Sequence, residues 1–201
     1  MTDTFLTITQ PTTSLFKEKG SKFFAFAYPV DNEQEIKEKL DELRKKHYDA
    51  THHCYAYILG KEKKNVRAND DGEPSGTAGL PILGQIKSKN LTNILVVVVR
   101  YFGGTKLGAS GLVSAYKTAT AEVLAQADVI EEIATQQFSF SFNYTQINEV
   151  MRFIKNNHLK IIHQNIDNQC DMTLEIRERD YEATKEKLLS WEGDVDFKQV
   201  R

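Results

Sequence analysis

A glycine-rich turn between a strongly apolar run and a helical pattern carries the clearest chemical signal in the sequence. Gly103 and Gly104 follow the apolar run Ile94–Val99. Lys106 stands just before a helical pattern that begins at Ala109. A turn of this kind brings several free main-chain N–H groups to one point, where the helix dipole and the lysine add positive charge. These residues therefore predict an anion site, with phosphate as the expected ligand.

Two other interpretations of this turn compete with the anion site. Gly103 to Ser110 has the outline of a P-loop, but Ala109 occupies the position where that loop needs its lysine. A nucleotide-hydrolysing P-loop is therefore not expected. The glycines can also serve only to permit a tight turn with close packing of the strand against the helix. The sequence alone leaves this structural role open beside the anion site.

A second stretch of the chain concentrates acidic groups. Asp70, Asp71 and Glu73 stand close together around a glycine. Such carboxylates can hold a divalent cation or supply an acid/base pair. They can also form a solvated turn that favours the N-terminus of the helix that follows. Ser75 or Thr77 is the expected cap of that helix.

The elements beside these stretches are predicted by hydrophobic periodicity. Thr51–Leu59 reads as a strand, and its alternation places His52 and His53 on opposite faces, so the two cannot ligate one metal together. His52 and Cys54 share a face, but no third ligand is evident.

Ile94–Val99 suits a strand that is buried on both faces. A single apolar stripe predicts the following helix, at Leu112, Tyr116, Ala119 and Val123.

The N-terminal part of the chain predicts strands and one helix. Thr4–Ile8 reads as a strand, and Ser14–Lys19 with Lys22–Tyr28 reads as a hairpin. Asp31 or Asn32 is the expected cap of a helix that runs to about His47. Lys61 to Asn65 reads as a charged turn that leads into the acidic stretch.

A second domain is predicted after a boundary at Asp128–Ala134. The pattern that follows is strand, helix, strand, strand, helix, strand, and its last strand is Val195–Val200. This order predicts a ferredoxin-like two-layer domain. Its third strand lacks the aromatic pair on which an RNA-recognition motif stacks bases, so a protein-contact or positioning role is favoured.

Composition and charge limit the class of protein. The chain has 201 residues and a net charge of −2, with 17 basic against 14 acidic side chains through Ala127 and 9 against 14 from Asp128. Any nucleic-acid contact must therefore be a local patch. Neither a secretory signal nor a membrane-length apolar run is evident, so a cytoplasmic location is expected. Cys54 and Cys170 read as reduced thiols, and we expect no metal and no cofactor.

Three motifs, in this order, resemble the IMPACT/YigZ family: ATHHCYAY, DDGEPSGTAG and VVVVRYFGGTKLGASGLVSAY. The likeness covers Phe16 to Ala127, and the remainder is similar to the last domain of elongation factor G. The resemblance implies an α+β fold with two domains. Residues 1–128 would form a βα domain like domain IV of that factor, and residues 135–201 would form the ferredoxin-like domain.

The resemblance also implies site residues, carried over by position. The ligand- or anion-binding set is His52, Arg67, Ser75, Thr77, Arg100, Tyr101, Gly103, Gly104, Lys106, Gly108 and Ser110. The acid/base or cation-binding set is Asp70, Asp71 and Glu73. No catalytic residue is assigned. We expect the histidine strand, the acidic loop and the glycine turn to converge into one cleft of mixed charge.

The resemblance implies a role in translation, because eukaryotic relatives regulate translation through the machinery that activates a starvation-responsive initiation-factor kinase. The first hypothesis is a binding protein that contacts RNA, the ribosome or a protein of the translation machinery, with no membrane contact and no readout of DNA sequence. The alternative hypothesis is a metal-assisted enzyme that acts on a phosphorylated or nucleotide substrate. A third is a cleft that docks a peptide carboxylate or an acidic partner protein.

Overall fold

A computed structural model describes residues 3–190 and 196–198 of the chain. These residues form two compact units. One unit is Thr4–Glu132, and the other begins at Ile133 and includes Asp3. None of the helices in the described ranges is long and apolar enough to cross a bilayer.

The first unit is built on a five-stranded antiparallel sheet, in the order β2-β3-β6-β4-β5. β1 and β7 form a separate two-stranded sheet. The strands are β1 (Thr4–Ile8), β2 (Thr12–Glu18), β3 (Ser21–Pro29), β4 (His52–Leu59), β5 (Asn65–Asn69), β6 (Ile94–Tyr101) and β7 (Val129–Ile133). The helices are α1 (Glu33–Lys46), α2 (Gly79–Ser88) and α3 (Gly108–Ala125).

The central strand β6 separates two cores. Ile94, Val96 and Val98 belong to the core shared with α2 and α3, on what we call the α2/α3 face. The alternate residues from Leu95 to Val99 belong to the core shared with α1, on the α1 face. Every side chain of this run is fully buried. The prediction of a strand buried on both faces is therefore confirmed.

The predicted hairpin and first helix are also confirmed. β2 pairs with β3, and α1 begins after Asn32, whose side-chain oxygen accepts a hydrogen bond from the Glu35 N–H at 2.9 Å. The predicted strand at the two histidines is β4. Its alternate residues enter the two cores as expected, with Cys54 on the α2/α3 face and Tyr55 on the α1 face.

One strand was missed by the sequence analysis. Asn65–Asn69 is strand β5, which pairs with β4 at the edge of the sheet, rather than the end of a turn followed by a loop. Val66 and Ala68 pack against the core of the α2/α3 face. Two apolar residues among charged and polar neighbours give too short an alternation to be recognised as a strand.

The second unit has the predicted ferredoxin-like order. Its elements are β8 (Thr135–Asn143), α4 (Ile147–Asn156), β9 (Lys160–Asn165), β10 (Gln169–Arg177), α5 (Tyr181–Leu189) and β11 (Asp196–Lys198). The sheet order is β11-β8-β10-β9, and the expected stripe of Phe138, Phe140 and Phe142 is buried. The predicted last strand, Val195–Val200, is seen at Asp196–Lys198, and its other residues lie outside the described ranges.

Candidate functional site

A buried ion pair joins the central strand to the acidic loop. Arg100, near the end of β6, donates from Nη1 to Oε1 of Glu73 at 2.6 Å. The two side chains are 7% and 3% exposed, respectively. Because water cannot solvate either charge there, each depends on the other for stabilisation. Arg100 also lies directly across from His52 in the pairing of β6 with β4, so the acidic loop is tied to both strands.

The same carboxylate collects further polar contacts on the α2/α3 face. The Tyr116 hydroxyl, from α3, donates to Oε1 of Glu73 at 2.8 Å, and Nε2 of His52 lies 3.9 Å from Oε2. Sγ of Cys54 lies 3.3 Å from the Tyr116 hydroxyl. Burial raises the pKa of the Tyr116 hydroxyl and of the Cys54 thiol. Both groups therefore stay protonated at neutral pH, and this cysteine is a core residue rather than a nucleophile.

Asp70 organises the start of α2. Its carboxylate accepts hydrogen bonds from the N–H groups of Gly76, Ala78 and Gly79 at 2.8 to 3.0 Å. Burial by itself would raise the pKa of this carboxyl, but the three main-chain donors outweigh it and leave the pKa below its usual value. The expected cap at Ser75 or Thr77 was wrong. α2 begins at Gly79, and the side chain that accepts the N–H groups at its start is that of Asp70, further back in the loop.

The third carboxylate of the loop, Asp71, attaches the loop to β4. Its Oδ2 accepts a hydrogen bond from the His53 N–H at 2.6 Å. Nδ1 of His52 donates to the Asp71 carbonyl oxygen at 2.7 Å. Each carboxylate of the loop is thus engaged by protein donors. In the described part of the chain, no three His, Cys, Asp or Glu side chains are grouped so as to hold a metal ion.

The glycine turn contains one glycine that is needed for packing. A Cβ on Gly103 would lie 1.9 Å from the carbonyl carbon of Gly20, in the turn between β2 and β3. The N–H of Gly103 donates to Oγ of Ser21 at 3.2 Å, and that oxygen is 3.5 Å from Nη2 of Arg100. At Gly103, glycine is therefore needed to permit close packing, as the second interpretation of this turn predicts. The same residue links the turn to the buried ion pair through Ser21.

The rest of the turn is open. Gly104 and Gly108 have φ values of +86° and +72°, and a Cβ on either would meet no heavy atom within 4 Å. Their conformation requires glycine although no neighbour crowds them. α3 starts at Gly108 without a side-chain cap. Within residues 3–190 and 196–198, the N–H groups of 104–107 have no hydrogen-bond acceptor and the exposed Lys106 has no ion-pair partner.

The structure brings only part of the predicted site together. His52, Asp71, Glu73 and Arg100 are connected by the contacts described above. Asp70 joins them through its carbonyl oxygen, which accepts a hydrogen bond from the Glu73 N–H at 2.9 Å. The glycine turn joins them through Ser21, and Gly108 and Ser110 lie exposed at the start of α3. Ser75 is exposed, and the Thr77 hydroxyl donates within the acidic loop to the Pro74 carbonyl oxygen at 2.6 Å.

Two predicted residues lie on the opposite face of the sheet, so the expected single cleft does not include them. Arg67 is paired with Tyr57, which belongs to the core of the α1 face. The Tyr101 hydroxyl is 3.0 Å from Nδ1 of His47 and donates to the Asp49 carboxylate at 3.1 Å. Strand alternation separates Tyr101 from its neighbour Arg100.

Sequence reasoning missed two residues of this arrangement. Tyr116 was assigned only to a buried stripe, although a tyrosine in an otherwise apolar stripe usually brings its hydroxyl to a buried partner. Its partner, Glu73, is 43 residues away in sequence. Ser21 is the first residue of β3, directly after the hairpin turn, and nothing in the local sequence indicates that it contacts Arg100 and Gly103.

These features define the class of protein: two α+β units, the first of which presents an uncapped glycine turn beside a buried Arg–Glu pair. The sequence model described as "Impact N-terminal domain" matches residues 19–124, more than half of the chain. The chain belongs to the IMPACT family.

Bacterial relatives match along most of their length. The chain is 38% identical to IMPACT family member YvyE of Bacillus subtilis over 79% of the chain and 74% of the relative. It is 32% identical to IMPACT family member YigZ of Escherichia coli over 83% of the chain and 81% of the relative. A crystal structure described as that of a hypothetical protein covers 100% of the chain and is itself covered to 99%, with a TM-score of 0.76 and 26% identity.

Proposed function

We propose that the protein is a translation-associated binding protein whose N-terminal unit binds a phosphate of single-stranded or ribosomal RNA at the turn Gly104–Ser110. The observation that carries the proposal is the open start of α3. There, main-chain donors that meet no acceptor among the described residues, and a lysine with no ion-pair partner among them, lie at exposed glycines. Backbone N–H groups at a helix N-terminus, with a nearby cation, are well suited to hold an oxyanion.

The positive charge of this site comes from Lys106 and from the N-terminus of α3. The two arginines that the family likeness also suggested, Arg67 and Arg100, do not contribute to it. Arg100 is already neutralised by Glu73 in the buried pair, and Arg67 lies on the α1 face. A single lysine and a helix N-terminus favour contact with a backbone phosphate over readout of a base sequence, since phosphate contacts position a partner without specifying sequence.

Binding is favoured over catalysis by the state of the other groups. Asp70, Asp71 and Glu73 each accept hydrogen bonds from protein donors. The Tyr116 hydroxyl and the Cys54 thiol are protonated and buried. These groups hold the acidic loop, β4 and α3 in place around the turn. The arrangement supports a preformed anion site, and no nucleophile with a base beside it stands out among these contacts.

The family likeness supports the biological setting of the proposal. Because the role that the likeness implies is in translation, we propose that the protein acts in the cytoplasm with the ribosome or a protein of the translation machinery as partner. The ferredoxin-like unit, with its acidic excess, suits a protein-contact or positioning role.

We expect Lys106→Ala to weaken binding to single-stranded RNA or to ribosomes and to flatten the salt dependence of that binding. A lysine that neutralises one phosphate releases its counterion, so the slope of log K against log salt concentration should fall by about 0.7 for a single strand. Fluorescence anisotropy with a labelled oligonucleotide, measured across a salt series, gives both quantities.

The matched control is Lys117→Ala, which removes an exposed lysine within α3, nine residues after the helix begins. Its affinity and slope should equal those of the wild type. Equal slopes for wild type and Lys106→Ala, or no binding of RNA and ribosomes by the wild type, would contradict the proposal.

A further inference from the structure

An aromatic pocket lies on the α1 face beside the glycine turn. Its volume is about 420 Å³, and it is lined by Gly20, Lys22, Phe24, His47, Tyr101 and Phe102. The groups that line it are three aromatic side chains, an imidazole, a lysine and a glycine. Glu73 lies on the opposite face of the sheet, and neither it nor its partners Arg100 and Tyr116 are among the residues that line the pocket.

Two of the aromatic rings of the pocket, those of Phe24 and Tyr101, are held in place by their neighbours. The Tyr101 hydroxyl is fixed between His47 and Asp49, and its ring meets that of Phe24 edge to face at a centroid distance of 5.8 Å. Phe102 is 51% exposed, with its ring 5.7 Å from the Arg100 guanidinium carbon. A large exposed ring beside fixed rings provides a surface on which a planar group can stack with little loss of conformational entropy.

One lysine, Lys22, lines the pocket, and other lysines stand in the hairpin and the glycine turn that adjoin it. Lys17 and Lys22 lie directly opposite each other in the hairpin, and Lys22 lies opposite Tyr101 in the next strand pair. Like charges placed directly opposite destabilise a sheet, and an anion above them relieves that repulsion. Among the residues that the structure describes, Lys17, Lys19, Lys22 and Lys106 make no ion pair. The surroundings of the pocket therefore favour a ligand that is both aromatic and anionic.

The pocket is continuous with the glycine turn. Gly20 lines the pocket and packs against Gly103, which leaves no room for a side chain at either residue. Phe102 and Gly104 are separated by two steps of the chain, at most about 7 Å. A nucleotide bridges a comparable span, because a single sugar links its base to its phosphate.

We infer that this pocket takes one unpaired nucleobase, stacked on Phe102 and Tyr101, from the strand whose phosphate lies on the turn Gly104–Ser110. The inference rests on the proposed function and adds to it a subsite for the base. Stacking tolerates any base, so the pocket adds affinity for single-stranded RNA without sequence preference. Duplex RNA, whose bases are already paired, gains nothing from it.

The test compares a short fluorescein-labelled oligoadenylate with an abasic ribose-phosphate strand of the same length. The wild type should bind the oligoadenylate about tenfold more tightly, because one base stacked on an aromatic ring adds affinity on that order. Phe102→Leu should lose that preference and keep the wild-type affinity for the abasic strand. Phe102→Tyr, which retains the ring, should keep the preference, whereas Lys106→Ala should weaken the binding of both strands.

Two controls separate the base pocket from the phosphate site. Tyr144→Leu removes an exposed ring of the other unit and should leave the preference unchanged. Equal affinity of the wild type for both strands, or a preference that survives Phe102→Leu, would overturn the base pocket and leave the phosphate site standing. Failure of the wild type to bind either strand would overturn both. Displacement of the strand by adenosine monophosphate at equal concentration would assign the pocket to a free nucleotide instead of RNA.

Discussion

Replacing Glu73 by glutamine is expected to lower the free energy of unfolding by about 3–5 kcal/mol. The substitution keeps the shape of the side chain but leaves the Arg100 guanidinium, only 7% exposed, without a counter-charge. Nε of Arg100 has no hydrogen-bond partner in the described part of the chain, so its other contacts do not replace the lost one. Urea denaturation followed by circular dichroism measures the change as a lower midpoint at an unchanged slope.

Two further variants isolate the cause of this effect. The double variant Glu73→Gln with Arg100→Met removes both charges and should recover much of the lost stability, because an apolar replacement of a buried pair is often nearly neutral. Glu42→Gln breaks an exposed pair with Lys39 at 3.2 Å and should change stability by less than about 1 kcal/mol. A Glu73→Gln protein as stable as the wild type would contradict the role assigned to the pair.

Replacing Asp70 by asparagine is expected to lower the free energy of unfolding by about 1–2 kcal/mol at neutral pH. The carboxylate receives three main-chain N–H groups at the start of α2, and an amide oxygen without charge accepts them more weakly. The loss should appear in urea denaturation at pH 7 as a lower midpoint.

The pH dependence of the Asp70 effect has a definite sign. The folded protein holds the pKa of Asp70 below its ordinary value of 3.8, so its stabilising contribution is complete above that value and is lost as the pH falls through the folded pKa. The stability gap between wild type and Asp70→Asn should therefore be constant above about pH 5 and close in stronger acid. Asp41→Asn, at an exposed position in α1, serves as the control. A gap that widens in acid would refute this assignment.

The periodic elements were the part of the fold that sequence reasoning predicted well. β6 is a continuous apolar run, α3 carries a clear stripe at Leu112 and Tyr116, and α1 has a strong cap at Asn32. Each of these signals is local, because the residues that form the element also carry its pattern. The order of elements in the second unit was predicted for the same reason.

The contacts of the site were harder to predict because they join distant residues. Glu73 and Arg100 are 27 residues apart, and Asp70 stands nine positions before Gly79, whose N–H donates to it at the start of α2. Neither pairing leaves a local pattern. Arg67 and Tyr101 were grouped with the other site residues by motif position alone. For Tyr101 the sequence could have shown the separation, because strand alternation places it on the face opposite Arg100.

The glycine turn shows how two interpretations of one motif can both apply. Gly103 is required because the backbone of the hairpin turn occupies the space of a side chain. Gly104 and Gly108 have positive φ values and open surroundings, so they leave room for a ligand. The close packing at Gly103 fixes the open part of the turn relative to Arg100 and the hairpin lysines. A rigid, preformed anion site requires this kind of support.

The most direct test of the account is a titration of the ¹⁵N-labelled protein with single-stranded oligoadenylate, followed by NMR of the main-chain amides. If the start of α3 binds phosphate, the largest shifts will fall on the amides from Gly104 to Ser110, and Lys106→Ala will reduce them at the same RNA concentration. Unmoved amides in this turn at saturating RNA, or largest shifts in the ferredoxin-like unit, would contradict the account.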